Sequence, residues 1–330
     1  MTTVTISAIP PGVQAYYDRN LLSRAQPNDV HGRYGQKRPI AARSGNQIKF
    51  RRYSQLAAAT TALTEGVTPS GTALTVTDVT TTLAQYGAFV TLSDLVSMTN
   101  QDAVVTEATD VLGDQAGTTI DQVRRDVLVA GTNAGFANNV ASRLLLITRL
   151  GAADLDRAIR FLKNQNAKFC KEGIPPSDGV GTGAIRKAYV GIVHPDVEFD
   201  LEAITGYRSV SDYPSQMAVM EDEIGAYKNI RFVSSTNARI FPNGATATTV
   251  GFKATGAGSS DVYASLIIAA EAYGLSPLSG QALTTIVKPL GSAGSADPLD
   301  QRSTVGWRAT TATTILNQSW MIRLESLASV

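Results

Sequence analysis

Three glycines at alternate positions, Gly179, Gly181 and Gly183, stand ahead of Ala184-Ile185-Arg186-Lys187. Glycine runs of this kind can cradle a phosphate, because the backbone N–H groups can approach it closely. A dinucleotide site needs a strand immediately before the run and a helix opening at it. Here Ile174-Pro175-Pro176-Ser177-Asp178 precede it, which is loop text, and no Gly-Lys-Ser/Thr follows as a P-loop requires. The run reads as a loop, and a nucleotide-binding enzyme using Gly179–Gly183 stays as a remote alternative.

Other reactive side chains are few and scattered. His194 precedes Pro195 at a strand-to-helix junction, where local hydrogen bonding suits it better than general-base work, and His31 lies near the N-terminus. No Gly-x-Ser-x-Gly nucleophile elbow occurs. Glu221-Asp222-Glu223 and the pair Asp297 and Asp300 lack calcium-loop spacing; the first group reads as a solvated helix face or an inter-subunit contact. The lone Cys170 excludes an internal disulfide framework, and Lys171 beside it would lower its pKa. A buried or idle thiol is expected, with a disulfide to a partner as the lesser alternative. No catalytic, cofactor or metal residue is assigned. Lys37-Arg38 and Lys49, Arg51 and Arg52 make a basic group suited to ion pairing with a neighbour or to plain solvation.

Composition supports that outcome. Hydrophobic residues make up 43% of the 330 residues and charged residues only 17%, tolerable when neighbours cover much of the surface. The 29 basic and 28 acidic side chains nearly cancel, so the chain lacks the basic excess of a dedicated nucleic-acid binder. No secretory signal is visible, and the most apolar stretch, Leu266 to Leu275, is too short to span a bilayer. A soluble protein made in the cytoplasm is expected.

The elements that must position these residues follow from periodicity. Residues 1–35 read as an arm, with Val13, Tyr17, Leu21 and Ala25 at helical spacing between Pro/Gly breakers. From Gln36 to about Ser93 the period drops to two. Ile48 and Phe50 alternate with Lys49 and Arg51, and a Thr/Val-rich strand from Leu74 to Leu83 follows the loop Glu65–Gly71. Its apolar positions slip between Val76 and Val79, which predicts a bulge or a strong twist. The whole reads as a long protruding hairpin. Gln101 to Gly131 predicts a long helix with the stripe Val104, Ala108, Val111, Leu112, Ala116, Ile120, Val123, Val127 and Leu128, and an Asp121–Arg125 ion pair. An α+β unit follows, with a helix through Leu155, Ile159 and Leu162 ending near Phe169, strands at Tyr189–Val193, Ile230–Val233 and Tyr263–Ala269, and a helix opened by Pro195. The chain closes with a strand pair, about Thr304 to Leu316 and Ser319 to Leu327.

This order, together with several stretches of text, resembles the major capsid proteins of tailed bacteriophages and prophages. The stretches include YYDRNLLSRA (Tyr16–Ala25), IKFRRYS (Ile48–Ser54), LTEGVTPSG (Leu63–Gly71), QYGAFVTLSD (Gln85–Asp94) and EATDVLGDQAG (Glu107–Gly117). RRDVLVAGTN (Arg124–Asn133), VHPDVEFDL (Val193–Leu201), EIGAYKNIRFV (Glu223–Val233) and DPLDQRSTVGW (Asp297–Trp307) continue the set.

The resemblance implies an α+β Hong Kong 97-like fold with an N-terminal arm (1–35) and an extended loop (36–85). A peripheral domain (86–147, spine helix 101–131), an axial domain (148–288) and strands returning to the peripheral domain (289–330) complete it. It implies a virion shell protein rather than an enzyme, assembled in the host cytoplasm as hexamers and pentamers around double-stranded DNA. Portal, scaffolding and decoration proteins are its expected partners, without a membrane. Because Met1 is followed almost at once by the arm, a separate scaffolding protein is expected. Tyr16, Tyr17, Arg51, Arg52, Glu65, Gly66 and Pro69 are the expected inter-subunit contacts. The shell of a bacterial protein compartment with the same fold is the close alternative.

Overall fold

The computed structural model describes residues 29–330, apart from 42, 44, 55, 96–103, 177–182, 216–218, 247–250, 257, 280–281 and 293–296. The expected arm helix lies outside the described residues, as do Tyr16 and Tyr17 and most of the Gly179–Gly183 run. In chain order the first elements are β1 (Gln36–Lys37), β2 (Gln47–Tyr53), β3 (Val76–Thr82), β4 (Ala84–Ser93), α1 (Val104–Val129), β5 (Ala134–Phe136) and α2 (Ala152–Asn164). Then come β6 (Tyr189–Val193), α3 (Pro195–Glu202), β7 (Tyr207–Ser209), β8 (Glu223–Tyr227), β9 (Ile230–Ser234) and β10 (Ile240–Ala245). The last are β11 (Ser260–Ile268), β12 (Tyr273–Pro277), β13 (Thr284–Lys288), β14 (Arg302–Ile315) and β15 (Met321–Ser326).

An eight-stranded sheet forms one body, in the order β5-β15-β11-β6-β9-β8-β7 with β10 on β11. β6 is an unbroken apolar run, and all five of its residues are buried, because both of its faces are covered. Tyr189 and Val193 face a core shared with Leu155, Ile159 and Leu162 of α2 and Val197 and Leu201 of α3. Val190 and Ile192 face a second core with Leu128 and Val129, at the end of α1. Between them Gly191 is required for closeness: a Cβ there would lie 2.7 Å from the Phe232 ring. α2 ends at Asn164 rather than near Phe169, and residues 165 and 166 turn before Ala167 returns to the core.

The second sheet is built on β14, fourteen residues long, which pairs antiparallel with β4, β12 and β13. Val305, Trp307 and Ala309 point from it to Leu112, Ala116 and Ile120 of α1. The buried face of α1 runs through Thr109, Leu112, Gly113, Ala116, Gly117, Ile120 and Asp121. Leu112, Ala116, Ile120 and Leu128 of the expected stripe are therefore buried, whereas Val111 is 66% exposed. The helix holds 26 residues, ~39 Å at 1.5 Å per residue. The expected Asp121–Arg125 pair does not form. Asp121 is buried against His31, which donates from its backbone N–H at 2.7 Å and brings Nδ1 to 2.9 Å, while Arg125 binds Asp126 and the carbonyl of Asn237.

The closing strands do not pair with each other. β14 joins the sheet on α1, whereas β15 enters the other sheet between β11 and β5. Ile322 and Leu324 share a face of β15, buried against α2 and its neighbours.

Candidate functional site

β2 and β3 make a two-stranded antiparallel ribbon, separate from both sheets. Register runs unbroken from Gln47↔Thr82 to Tyr53↔Val76, so the expected bulge is absent. Threonine-rich strands that bury a single side chain put little core face in conflict with a straight register. Instead, Arg51 lies opposite Asp78 and donates to its carboxylate at 3.0 and 3.3 Å. That carboxylate is held below its ordinary range by the Arg51 hydrogen bond. Only Phe50 is buried in the ribbon; its ring packs over Gly274, where a Cβ would fall 2.7 Å away. Phe50 is thus the pin that ties the ribbon to β12.

Beyond the ribbon, Ser54 donates its backbone N–H to Thr75 at 2.9 Å, and the residues between them that are described are all exposed. Leu63 is 77% exposed, Val67 62% and Leu74 65%. Glu65, Gly66 and Pro69 sit within this stretch, and Gly66 has φ +76°, a left-handed conformation that favours glycine. A second apolar exposure lies on the open face of β4, where the Phe89 side chain covers Gly306 of β14. Between the outer half of β2 and the body lies a cleft of about 550 Å³. Arg51, Arg52 and Tyr53 of the ribbon line it together with Arg38, Lys168 and Trp320.

The side chains that suggested chemistry are occupied structurally. His194 caps α3, its Nδ1 accepting from the Asp196 N–H at 3.1 Å, and burial holds its pKa below the ordinary value despite nearby Asp196. Asp196 is in turn bound by Lys253 and by the Tyr263 hydroxyl at 2.8 Å. The Cys170 thiol faces the carbonyl of Ile268 at 3.3 Å. Burial pushes its pKa up to about 11, outweighing the lowering by Lys171 on which the sequence reading relied. Glu221-Asp222-Glu223 is not a helix face: Arg33 bonds Asp222 at 2.9 Å and reaches Glu221 at 3.4 Å, while the Glu223 side chain is buried. Glu223 accepts from Arg231 at 2.6 and 2.5 Å, from the Tyr213 hydroxyl at 2.7 Å and from the Met220 N–H at 2.7 Å. Asp297 accepts from the Arg302 N–H at 2.8 Å, and Gly183 accepts from Arg208 at 2.8 Å.

Sequence reasoning missed Glu325, which is wholly buried and bound by Arg143 at 2.6 and 2.7 Å and by Arg323 at 2.7 Å. Arg143 also stacks 3.4 Å over the Phe241 ring. A carboxylate at an inward position of a β-strand was the available signal, since burial of a charge demands a partner.

A family model described as "Phage capsid protein" matches residues 75–321. No curated protein matches the chain. The fold is similar to the capsid of Ralstonia phage GP4, with TM-score 0.61 and 14% identity over 90% of this chain and 87% of that one. It is also similar to the capsid of cyanophage Pam1, with TM-score 0.59 and 14% identity over 87% and 86%. The virus-like particle from Pyrococcus furiosus has TM-score 0.50 and 8% identity over 95% and 99%.

Proposed function

This chain belongs to the phage capsid protein family, and from that premise we propose that it is the shell-forming subunit of a phage head, assembling with copies of itself as hexamers and pentamers that enclose double-stranded DNA. Its α+β architecture is the Hong Kong 97-like capsid fold. The observation that carries the assembly reading is the exposed apolar stretch between Ser54 and Thr75, joined to a ribbon with a single buried side chain. An isolated subunit gains nothing from leaving Leu63, Val67 and Leu74 in water, whereas burying such side chains against a neighbour favours association.

In this reading residues 1–35 are the arm, 36–85 the extended loop, 86–147 and 289–330 the peripheral domain, and 148–288 the axial domain. α1 acts as the spine. The shell assembles in the host cytoplasm and becomes the virion capsid, with portal, scaffolding and decoration proteins as further partners. The role requires no catalytic step, only contacts.

Sedimentation and electron microscopy of the expressed protein, alone and with its scaffold, test this. Capsomers or megadalton shells are expected; a monomer under every condition refutes it. Likeness to the Pyrococcus furiosus particle favours a second reading, a compartment shell. Shell contents separate the two: nuclease-protected DNA for the phage head, packaged protein for the compartment.

A further inference from the structure

We propose that the cleft between the ribbon and the body receives the Glu65 carboxylate of a second copy of the chain, so that each hairpin tip is clamped against the ribbon of the next copy. The pairing rests on the shell reading above. Four cations line the cleft, and two are neutralised within the subunit: Arg51 by Asp78, and Lys168 by Glu271 at 3.0 Å. Arg38 and Arg52 are exposed and form no ion pair among the described residues. A guanidinium presents a planar fork of donors that matches a carboxylate, so the cleft offers two open receptors for one acid.

The hairpin tip supplies that acid. From Ser54 to Thr75 the only charged residue is Glu65, near the middle of the stretch. It is exposed and forms no ion pair among the described residues. The Ser54–Thr75 hydrogen bond closes the stretch at its base, so the tip extends by at most half of its length. About ten residues at ~3.3 Å each reach ~33 Å, against a radius of gyration of ~20 Å for a chain of this size. A neighbouring copy is within that reach. The residues beside Glu65 also suit the cleft: Leu63 and Val67 would meet Tyr53 and Trp320, two of its lining residues.

Charge reversal tests the pairing. E65R and R52E should each lower the yield of shells by about tenfold or more, because like charges then face each other at every repeated contact. E65R/R52E, which restores opposite signs, should recover most of the yield. R38E and E65R/R38E form a parallel set if R52E disturbs the ribbon, and circular dichroism of each unassembled subunit checks its fold. Single variants that assemble like wild type, or folded double variants no better than the singles, overturn the pairing. So do R38E/R52E shells that form normally but lose nuclease-protected DNA, which would assign the cleft to phosphate. A wild-type chain that never assembles would instead sink the shell reading.

Discussion

Replacing Arg231 by Met while Glu223 stays in place should remove about 3–5 kcal/mol of stability, because it strands a buried carboxylate. The two side chains are 2% and 0% exposed, and the guanidinium meets both carboxylate oxygens, at 2.6 and 2.5 Å. Burial alone would favour deprotonating Arg231, yet the Glu223 hydrogen bonds and charge hold its pKa above the ordinary value. With ~4 Å between charge centres and an effective dielectric near 20, the attraction lost is ~4 kcal/mol. Tyr213 and Met220 would remain as donors to Glu223, but both are neutral and neither balances its charge. Urea unfolding of the unassembled subunit, followed by fluorescence of Trp307 and Trp320, reads this directly. With a slope of roughly 3 kcal/mol per molar, the midpoint should fall by about 1 M or more. Glu223→Gln alone should cost a similar amount. The double variant should lose at least ~2 kcal/mol less than the two singles added together, since the second substitution removes the stranded charge. Additive losses, or an unchanged midpoint for Arg231→Met, would refute the reasoning.

Cys170, with its pKa near 11, should react with iodoacetamide at pH 8 roughly two-hundred-fold more slowly than a free thiol, by its smaller thiolate fraction. A rate in the folded protein equal to that in urea would contradict this. His194 titrates lower in the folded chain than in the unfolded one, so the unfolded state takes up the extra proton as pH falls. Its contribution to stability is present above the unfolded value of ~6.5 and is lost as pH drops through it, with loss of the Nδ1 cap. His194→Asn, which keeps a neutral cap acceptor, should flatten that part of the melting-temperature profile between pH 7.5 and 5.5; an unaltered slope would mean that other groups cause it. Deleting Glu65–Gly71 removes only exposed residues, so the melting temperature of the unassembled subunit should stay the same while shells fail to form. Normal shells from the deletion would end the assignment of the tip to assembly.

What was legible in the sequence was what repeats along it. The apolar run of β6, the length of α1 and the period-two ribbon all follow from neighbours a few residues apart. Pairings across the fold leave no such trace. Asp121 stands four residues before Arg125, the spacing of a helix pair, yet His31, ninety positions away, takes it because that face of α1 is covered. Glu325 and Arg143 are 182 positions apart, and nothing along the chain joins them. The ribbon reverses this relation. Of the bulge or strong twist expected there, the bulge is absent, because Phe50 alone ties the ribbon to the body and the apolar slip at Val76 and Val79 carried no structural demand. The same lack of a core made its purpose readable. A segment that runs out to Leu63, Glu65 and Val67 and back with almost nothing buried adds little to the stability of its own subunit. Whatever ordering it costs must be offset by a surface that the isolated chain does not contain, and a second copy of the chain supplies one.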